Sequence, residues 1–234
     1  MSSRQLVSKV SRITQTKAGH TGTLDPLATG MMVIALGNAT RFSQWIISEE
    51  KAYQATIQFG TQTSTDDLEG EAIFTSSIKP SKSQVISALK SLTGTIDQVP
   101  PNYSAIHLDG IRAYKKARKG ETFSLPSRKV TIYESRLEAF DPKTNTAQVY
   151  IHCQSGTYIR SIARDIGTEI GCFAHLSSLH RIWVNPFMKS PIVELDDLTS
   201  QPDIISLDQF FKQQPHISIS KLHATSLAHG KTIE

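Results

Sequence analysis

The sequence predicts an α+β protein built around one mixed, mainly antiparallel sheet. Three observations point that way. Residues 52–59, Ala-Tyr-Gln-Ala-Thr-Ile-Gln-Phe, alternate apolar and polar side chains as a half-buried strand does. Lys129 to Phe140 and Thr146 to Cys153 flank the turn-rich run Asp141-Pro142-Lys143-Thr144-Asn145, which reads as a hairpin. Helical periodicity is confined to a few separated segments, and no strand–glycine-rich loop–helix phosphate motif appears. A doubly wound nucleotide-binding fold is therefore not expected.

Taken in order, Met32 to Leu36 reads as a short buried strand, ahead of the long strand at 52–59. Asp66 to Gly70 is a turn, and Ala72 to Thr75 the return strand. Pro80 and Ser81 open a helix with Val85, Ile86, Leu89 and Leu92 on one face, closed by Thr93-Gly94. Residues 100–110 give a turn, a short strand and a turn, and Ile111 to Lys119 a short basic helix. Gly156 to Ile170 is a helix whose stripe is Ile159, Ile162, Ala163, Ile166 and Ile170. Beyond about residue 190 the texture changes. Residues 191–234 read as a connection followed by a stretch too short for its own core.

Composition narrows the class. The 234 residues are 38% hydrophobic and 20% charged, as in a folded globular chain. No apolar run approaches the roughly 20 residues that cross a bilayer, and the first residues lack a secretory pattern. A cytoplasmic location without membrane attachment is expected. Cys153 and Cys172 lack C-x-x-C spacing and read as reduced, buried thiols. No metal set is expected, since the histidines show no ligand spacing. The formal net charge of +4 permits a polyanionic partner without requiring one.

The densest segment is Gly19-His20-Thr21-Gly22-Thr23-Leu24-Asp25-Pro26-Leu27-Ala28-Thr29-Gly30. Pro26 biases Asp25 toward extended backbone and so helps aim its carboxylate. By spacing alone Asp25-Pro26 is an ordinary helix start, with Asp25 as N-cap. Other positions carry equally plain readings. Tyr53 is a strand aromatic, Arg160 and Arg164 form a solvated basic helix face, and His20 is a loop histidine. Lys115, Lys116, Arg118 and Lys119 are a solvated face too, although Arg112 and Tyr114 beside them suit phosphate contact and stacking.

The whole string alters these odds. Those twelve consecutive residues resemble the signature of TruB-type pseudouridine synthases. The resemblance continues through Glu50-Lys51-Ala52-Tyr53 with residues 63–70, through 100–106 with 115–121, and through 155–167. It spans roughly residues 4–187. It implies a pseudouridine synthase fold with an RNA-binding insertion, and isomerisation of a uridine at position 55 in the T-loop of tRNA. It implies that Asp25 is the catalytic carboxylate. Tyr53 would stack on the flipped uracil and help move the carbon 5 proton, and Arg160 would pair with Asp25. His20 would contact the T-loop. Thr23, Tyr103, Arg112, Tyr114, Lys115, Lys116, Arg118 and Lys119 would complete the RNA contacts.

The chemistry suits these residue types. The glycosidic nitrogen–carbon bond breaks and the same base rejoins the sugar through carbon 5. Nothing is oxidised or imported, so no cofactor is expected. A carboxylate serves as nucleophile or takes a sugar proton, and a base removes the carbon 5 proton. The expected partner is the tRNA T-arm, met by a monomer with no protein partner. An additional tRNA-folding role stays open beside this, as does kinship with guide-RNA-directed enzymes, against which the insertion at 100–121 argues.

The chain departs from the family in three places. Family members begin with a short strand and a Lys-Pro-x-Gly type turn ahead of Ser2 and Ser3. His180 and Asn185 stand where arginine and glycine are common, and Asn tolerates positive φ. The expected division is a catalytic domain at 1–190, its N-terminal strand missing, followed at 191–234 by a connection and the start of a truncated PUA-like module.

Overall fold

The computed structural model describes residues 1–47, 49–212 and 217–233. Its strands are β1 (Ala18–His20), β2 (Ala28–Gly30), β3 (Ile34–Leu36), β4 (Lys51–Phe59), β5 (Thr61–Thr63), β6 (Ala72–Thr75), β7 (Gly94–Gln98), β8 (His107–Leu108), β9 (Ile111–Arg112), β10 (Arg128–Asp141), β11 (Thr146–Cys153) and β12 (Ala174–Val184). Its α-helices are α1 (Ser3–Thr14), α2 (Ser43–Ile47), α3 (Lys82–Ser91), α4 (Ala113–Arg118), α5 (Ile159–Ile170), α6 (Leu207–Phe211) and α7 (Lys221–Ala228).

The central sheet has the order β2-β12-β4-β11-β10-β7. Only β2 runs parallel to its neighbour, so the sheet is mixed and mainly antiparallel, as the alternating pattern predicts. Alternation along β4 and β11 sends Tyr53, Ala55, Ile57 and Phe59, with Ala147, Val149, Ile151 and Cys153, to one face. There they meet Ile159, Ile162, Ala163 and Ile166 of α5 and Val85, Ala88 and Leu89 of α3. Burying each of the larger aliphatic side chains stabilises the fold by roughly 1.5–3 kcal/mol. Register then places Tyr53 directly opposite Ile151 on one side and Arg181 on the other.

Several boundaries differ from the sequence expectation. The stripe of α3 runs through Val85, Ala88 and Leu89, and Ile86 points outward at 48% exposure. A residue one step from the stripe is turned about 100° from it. The expected basic helix at 111–119 is split, with Ile111–Arg112 pairing with His107–Leu108 before α4 begins. The positive φ of Asp109 and Gly110 makes that hairpin turn. Helix α5 begins at Ile159, because Gly156 takes a left-handed φ of 87°. Asn185 keeps a negative φ and precedes a cis peptide to Pro186. Neither α1 nor β1 is foreseen by the apolar pattern, since Val10 is the single buried residue of α1.

By internal contacts the chain forms two units, Met1–Gln201 and Pro202–Glu234. The second contains α6, capped by Ser206 with Gln209, and α7, capped by Ser220. None of its described residues is buried, as expected of a segment too short for a core. Residues 213–216 and 234 of the expected connection and module lie outside the described residues.

Candidate active site

The signature loop is held at both ends by strands. After β1 the Thr21 N–H donates to the Val33 carbonyl at 3.1 Å, and the chain turns at Gly22. The Ala28 N–H then donates back to the Asp25 carbonyl at 2.9 Å as β2 begins. Asp25 thus sits in a turn between strands, and the helix start suggested by Asp25-Pro26 does not form. Its neighbour Leu24 is gripped by Ser3 of α1, whose hydroxyl accepts the Leu24 N–H at 3.2 Å and donates to the Leu24 carbonyl at 3.4 Å. This grip gives the otherwise peripheral α1 a place in the site.

The Asp25 carboxylate is met by a bidentate guanidinium. Arg160 donates from Nε to Oδ2 at 3.0 Å and from Nη2 to Oδ1 at 3.1 Å. Its remaining donors reach the carbonyls of Thr65 at 3.1 Å and Tyr103 at 3.2 Å, and Nη1 lies 3.5 Å from Asp67 Oδ2. Four of its five N–H donors are thereby hydrogen-bonded, and an ion pair with Asp67 adds to them. Arg160 is buried, not part of a solvated basic face, because α5 presents it inward beside Ile159 and Ser161. Removing one member of such a buried pair leaves an uncompensated charge, which typically costs about 3–5 kcal/mol. The Asp25 side chain itself remains 31% exposed, so one flank faces outward. A cleft of about 250 Å³ opens there, lined by Ser3, Leu24, Asp25, Ala28, Thr29 and Leu195 among others.

One turn along α5, Arg164 binds Asp66 at 2.9 Å and Asp165 at 2.9 Å. Burial raises the Asp66 carboxyl above its ordinary value, and Arg164 opposes the rise. The two arginines therefore tie α5 to the 65–67 turn, and only Arg160 reaches Asp25.

Tyr53 lies on the core face of β4 at 9% exposure. Burial pushes its phenol up to about 12, opposed by the nearby positive charge of Arg181. Arg181 is itself 2% exposed. It donates from Nε to the Met31 carbonyl at 2.7 Å and from Nη2 to the Gly22 carbonyl at 3.3 Å. Lys51, two residues before Tyr53 on the same face, is buried and donates to the carbonyls of Ile47 and Glu49 and to the Ser155 hydroxyl. Burial and then Arg181 push its ammonium down to about 8. Sequence reasoning missed Asp67, Arg181, Lys51 and Ser3. The available signal was a charged residue at an inward position of an apolar strand, as for Lys51 and Arg181.

The remaining predicted contacts are spread across the insertion and loops. His20 ends β1 with its Nδ1 buried and without a hydrogen-bond partner, and Thr23 is exposed. Tyr103 is half-buried, its carbonyl committed to Arg160. Arg112, Lys115, Arg118 and Lys119 are exposed, and Arg118 stacks over the Tyr114 ring at 5.5 Å. Lys116 is half-buried between Asp109 and Glu121, each at 3.9 Å, so its charge is already answered within the protein. Among the described residues no group of three or more His, Cys, Asp or Glu gathers as a metal site. No helix is long and apolar enough to cross a membrane.

Beside this geometry, comparison with known families points to one protein class. The family model of the TruB pseudouridylate synthase N-terminal domain matches residues 10–159, and that of the tRNA pseudouridylate synthase B C-terminal domain matches residues 160–209. The chain therefore belongs to the TruB family of pseudouridylate synthases, enzymes that isomerise uridine within RNA.

Among curated relatives, the tRNA pseudouridine synthase B of Anaplasma marginale (strain St. Maries) is 46% identical over 209 residues, 89% of this chain and 68% of that protein. The tRNA pseudouridine synthase B of Rhizobium meliloti (strain 1021) is 40% identical over 246 residues, 99% of this chain and 78% of that protein. Among solved structures, one chain of a Cbf5-Nop10-Gar1 complex superposes with a TM-score of 0.62 at 26% identity, covering 81% of this chain and 47% of that one. An archaeal box H/ACA sRNP Nop10-Cbf5 complex gives a TM-score of 0.62 at 24% identity, over 91% of this chain and 52% of that one, and shows the shared fold. The chain thus spans about half the length of these two structures.

Proposed function

We propose that the chain converts the uridine at position 55, in the T-loop of tRNA, to pseudouridine. The observation that supports this best is the Asp25 carboxylate, gripped on one side by the buried Arg160 and open on the other. A carboxylate aimed by a bidentate cation is suited to attack the sugar or take a proton from it. The target uridine leaves the loop's stack, since its glycosidic bond is unreachable within it. Tyr53 receives the base and later acts on the carbon 5 proton. The exposed Arg112, Lys115, Arg118 and Lys119 contact phosphates of the T-arm, while Tyr114, His20 and Thr23 contact the loop.

The curated relatives bear the name tRNA pseudouridine synthase B, which favours tRNA as substrate over a guide-directed target. In this reading the protein acts in the cytoplasm as a monomer without a protein partner or cofactor. Residues 191–234 then serve as a connection and an accessory RNA-binding segment. The test uses T-arm RNA carrying tritium at carbon 5 of the target uracil. Tritium release by the chain and its loss in Asp25→Ala, with RNA binding retained in both, is the expected result. Equal release by Asp25→Ala would remove Asp25 from the reaction, and release from uridines outside the T-loop would displace the proposed position.

A further inference from the structure

Arg160 and Arg164 each face carboxylates, but Arg181 has no such partner. It is more deeply buried than either, yet no carboxylate lies within ion-pair distance of it among the described residues. Its hydrogen-bond partners are neutral, the carbonyls of Met31 and Gly22. Nearby stands another cation, the Lys51 ammonium, which the Arg181 charge helps to push down. A buried guanidinium without a counter-charge is costly. Carbonyl dipoles offset part of that cost, and a negative charge arising beside it during the reaction would offset the rest.

Strand pairing puts that negative charge within reach. Arg181 of β12 and Tyr53 of β4 are direct cross-strand partners, so their side chains share a face. The two Arg181 hydrogen bonds hold the loop that carries Asp25, at Gly22 before it and Met31 after it. One side chain on the face of the phenol therefore holds both ends of the catalytic loop. The side chain passes close over Gly22, where a Cβ would lie in ordinary contact with Arg181 Nη1 at 3.6 Å and Lys51 Cε at 3.8 Å.

We propose that Arg181 is a positioning residue for proton removal from carbon 5, its guanidinium serving as the counter-charge of a Tyr53 phenolate held over the catalytic loop. This rests on the reading of Tyr53 as the base. Hydroxide from solvent takes the phenol proton and becomes water. After the sugar has joined carbon 5, the phenolate oxygen takes the proton from that carbon, and the carbon–hydrogen electron pair enters the ring. Nitrogen 1, freed by glycosidic cleavage, takes a proton from water and regenerates hydroxide. Tyr53 ends as the neutral phenol it is at rest. Burial is the largest opposition to the phenolate, and Arg181 is the group that acts against it. The other ionisable groups that influence this phenol are Cys153 and Asp25, and both resist a second negative charge.

The test compares single-turnover rates on T-arm RNA bearing protium or deuterium at carbon 5. The proteins are wild type, Arg181→Gln, Arg181→Lys, Tyr53→Phe and Tyr53→Phe/Arg181→Gln. Arg181→Gln should slow isomerisation about 10- to 100-fold with RNA affinity unchanged, enlarge the isotope effect and move the alkaline limb of the rate profile to higher pH. Arg181→Lys should recover most of the rate. In the Tyr53→Phe background, Arg181→Gln should change the rate by less than about twofold, because the residue acts through Tyr53.

Equal slowing with and without Tyr53, an unchanged isotope effect in Arg181→Gln, or a loss confined to RNA affinity would each overturn the proposal. Should the glutamine variant fail to fold, Arg181→Lys decides: retained rate with wild-type isotope effect supports the counter-charge, and loss of rate refutes it. If Tyr53→Phe itself reacts like wild type, the reading of Tyr53 as base fails. If only the Arg181 variants do, the role of Arg181 fails alone.

Discussion

Lys51 and Arg160 show how a buried cation serves two ends. Arg160 is a permanent charge whose fork matches a carboxylate, with four hydrogen bonds and an ion pair to Asp67. Lys51 is a titratable charge in a buried setting, held by two carbonyls and a hydroxyl. Its ammonium is pushed down from 10.5 to about 8, first by burial and then by Arg181. Between those values the unfolded chain binds a proton that the folded chain does not, so this group makes stability rise with pH. Below about 8 the full penalty of burying the ammonium is present. The difference in urea midpoint between wild type and Lys51→Met should therefore shift in favour of wild type from pH 7 to pH 10. A difference that stays flat, or shifts the other way, would show that the ammonium is not penalised.

At the scale of elements, the close approach of β2 to β12 decides where Asp25 lies. Gly30 ends β2 with a φ of 97°, and a Cβ there would fall 2.3 Å from the Arg181 carbonyl oxygen. Two obstacles, a disfavoured φ and a backbone clash, thus meet at one residue. Gly171, which closes α5, has a φ of 79° and open space around a Cβ. Gly171→Ala should cost roughly 1 kcal/mol, the price of the left-handed conformation alone. Gly30→Ala should cost roughly 2–4 kcal/mol and lower the isomerisation rate as β12 shifts under Tyr53. Denaturant melts of the two variants give the comparison, and similar losses in both would mean that the clash is relieved by a small local movement. Helix α1 acts by a different route, since a single serine links it to Leu24 and hence to the backbone of Asp25.

For the whole molecule, the expected site residues and the buried core belong to the Met1–Gln201 unit. The Pro202–Glu234 unit has no buried described residue. A chain ending at Gln201 should melt within a few degrees of the full chain and react at a similar rate once saturated with T-arm RNA. Any deficit should appear as weaker RNA binding, measured by filter retention or fluorescence anisotropy across salt concentrations. A saturated rate reduced tenfold or more would show that the second unit supports the chemistry.

Much was legible beforehand, for reasons that particular elements make plain. Local patterns alone determined the β10–β11 hairpin, β4 and the inward stripe of α5, because their periods are set by neighbours in the sequence. The twelve-residue signature with Tyr53 and Arg160 pointed to the chemistry, although spacing by itself favoured a helix start at Asp25. Tertiary structure decided what depends on partners distant in the chain. It placed Arg160 on Asp25 across 135 residues, set Arg181 against Tyr53 through strand register, and seated α1 on Leu24 through Ser3. A charged side chain in a strand or helix looks the same in sequence whether it meets water or a buried carboxylate. Only the packing of remote elements settles which, because burial and counter-charge are properties of the assembled fold.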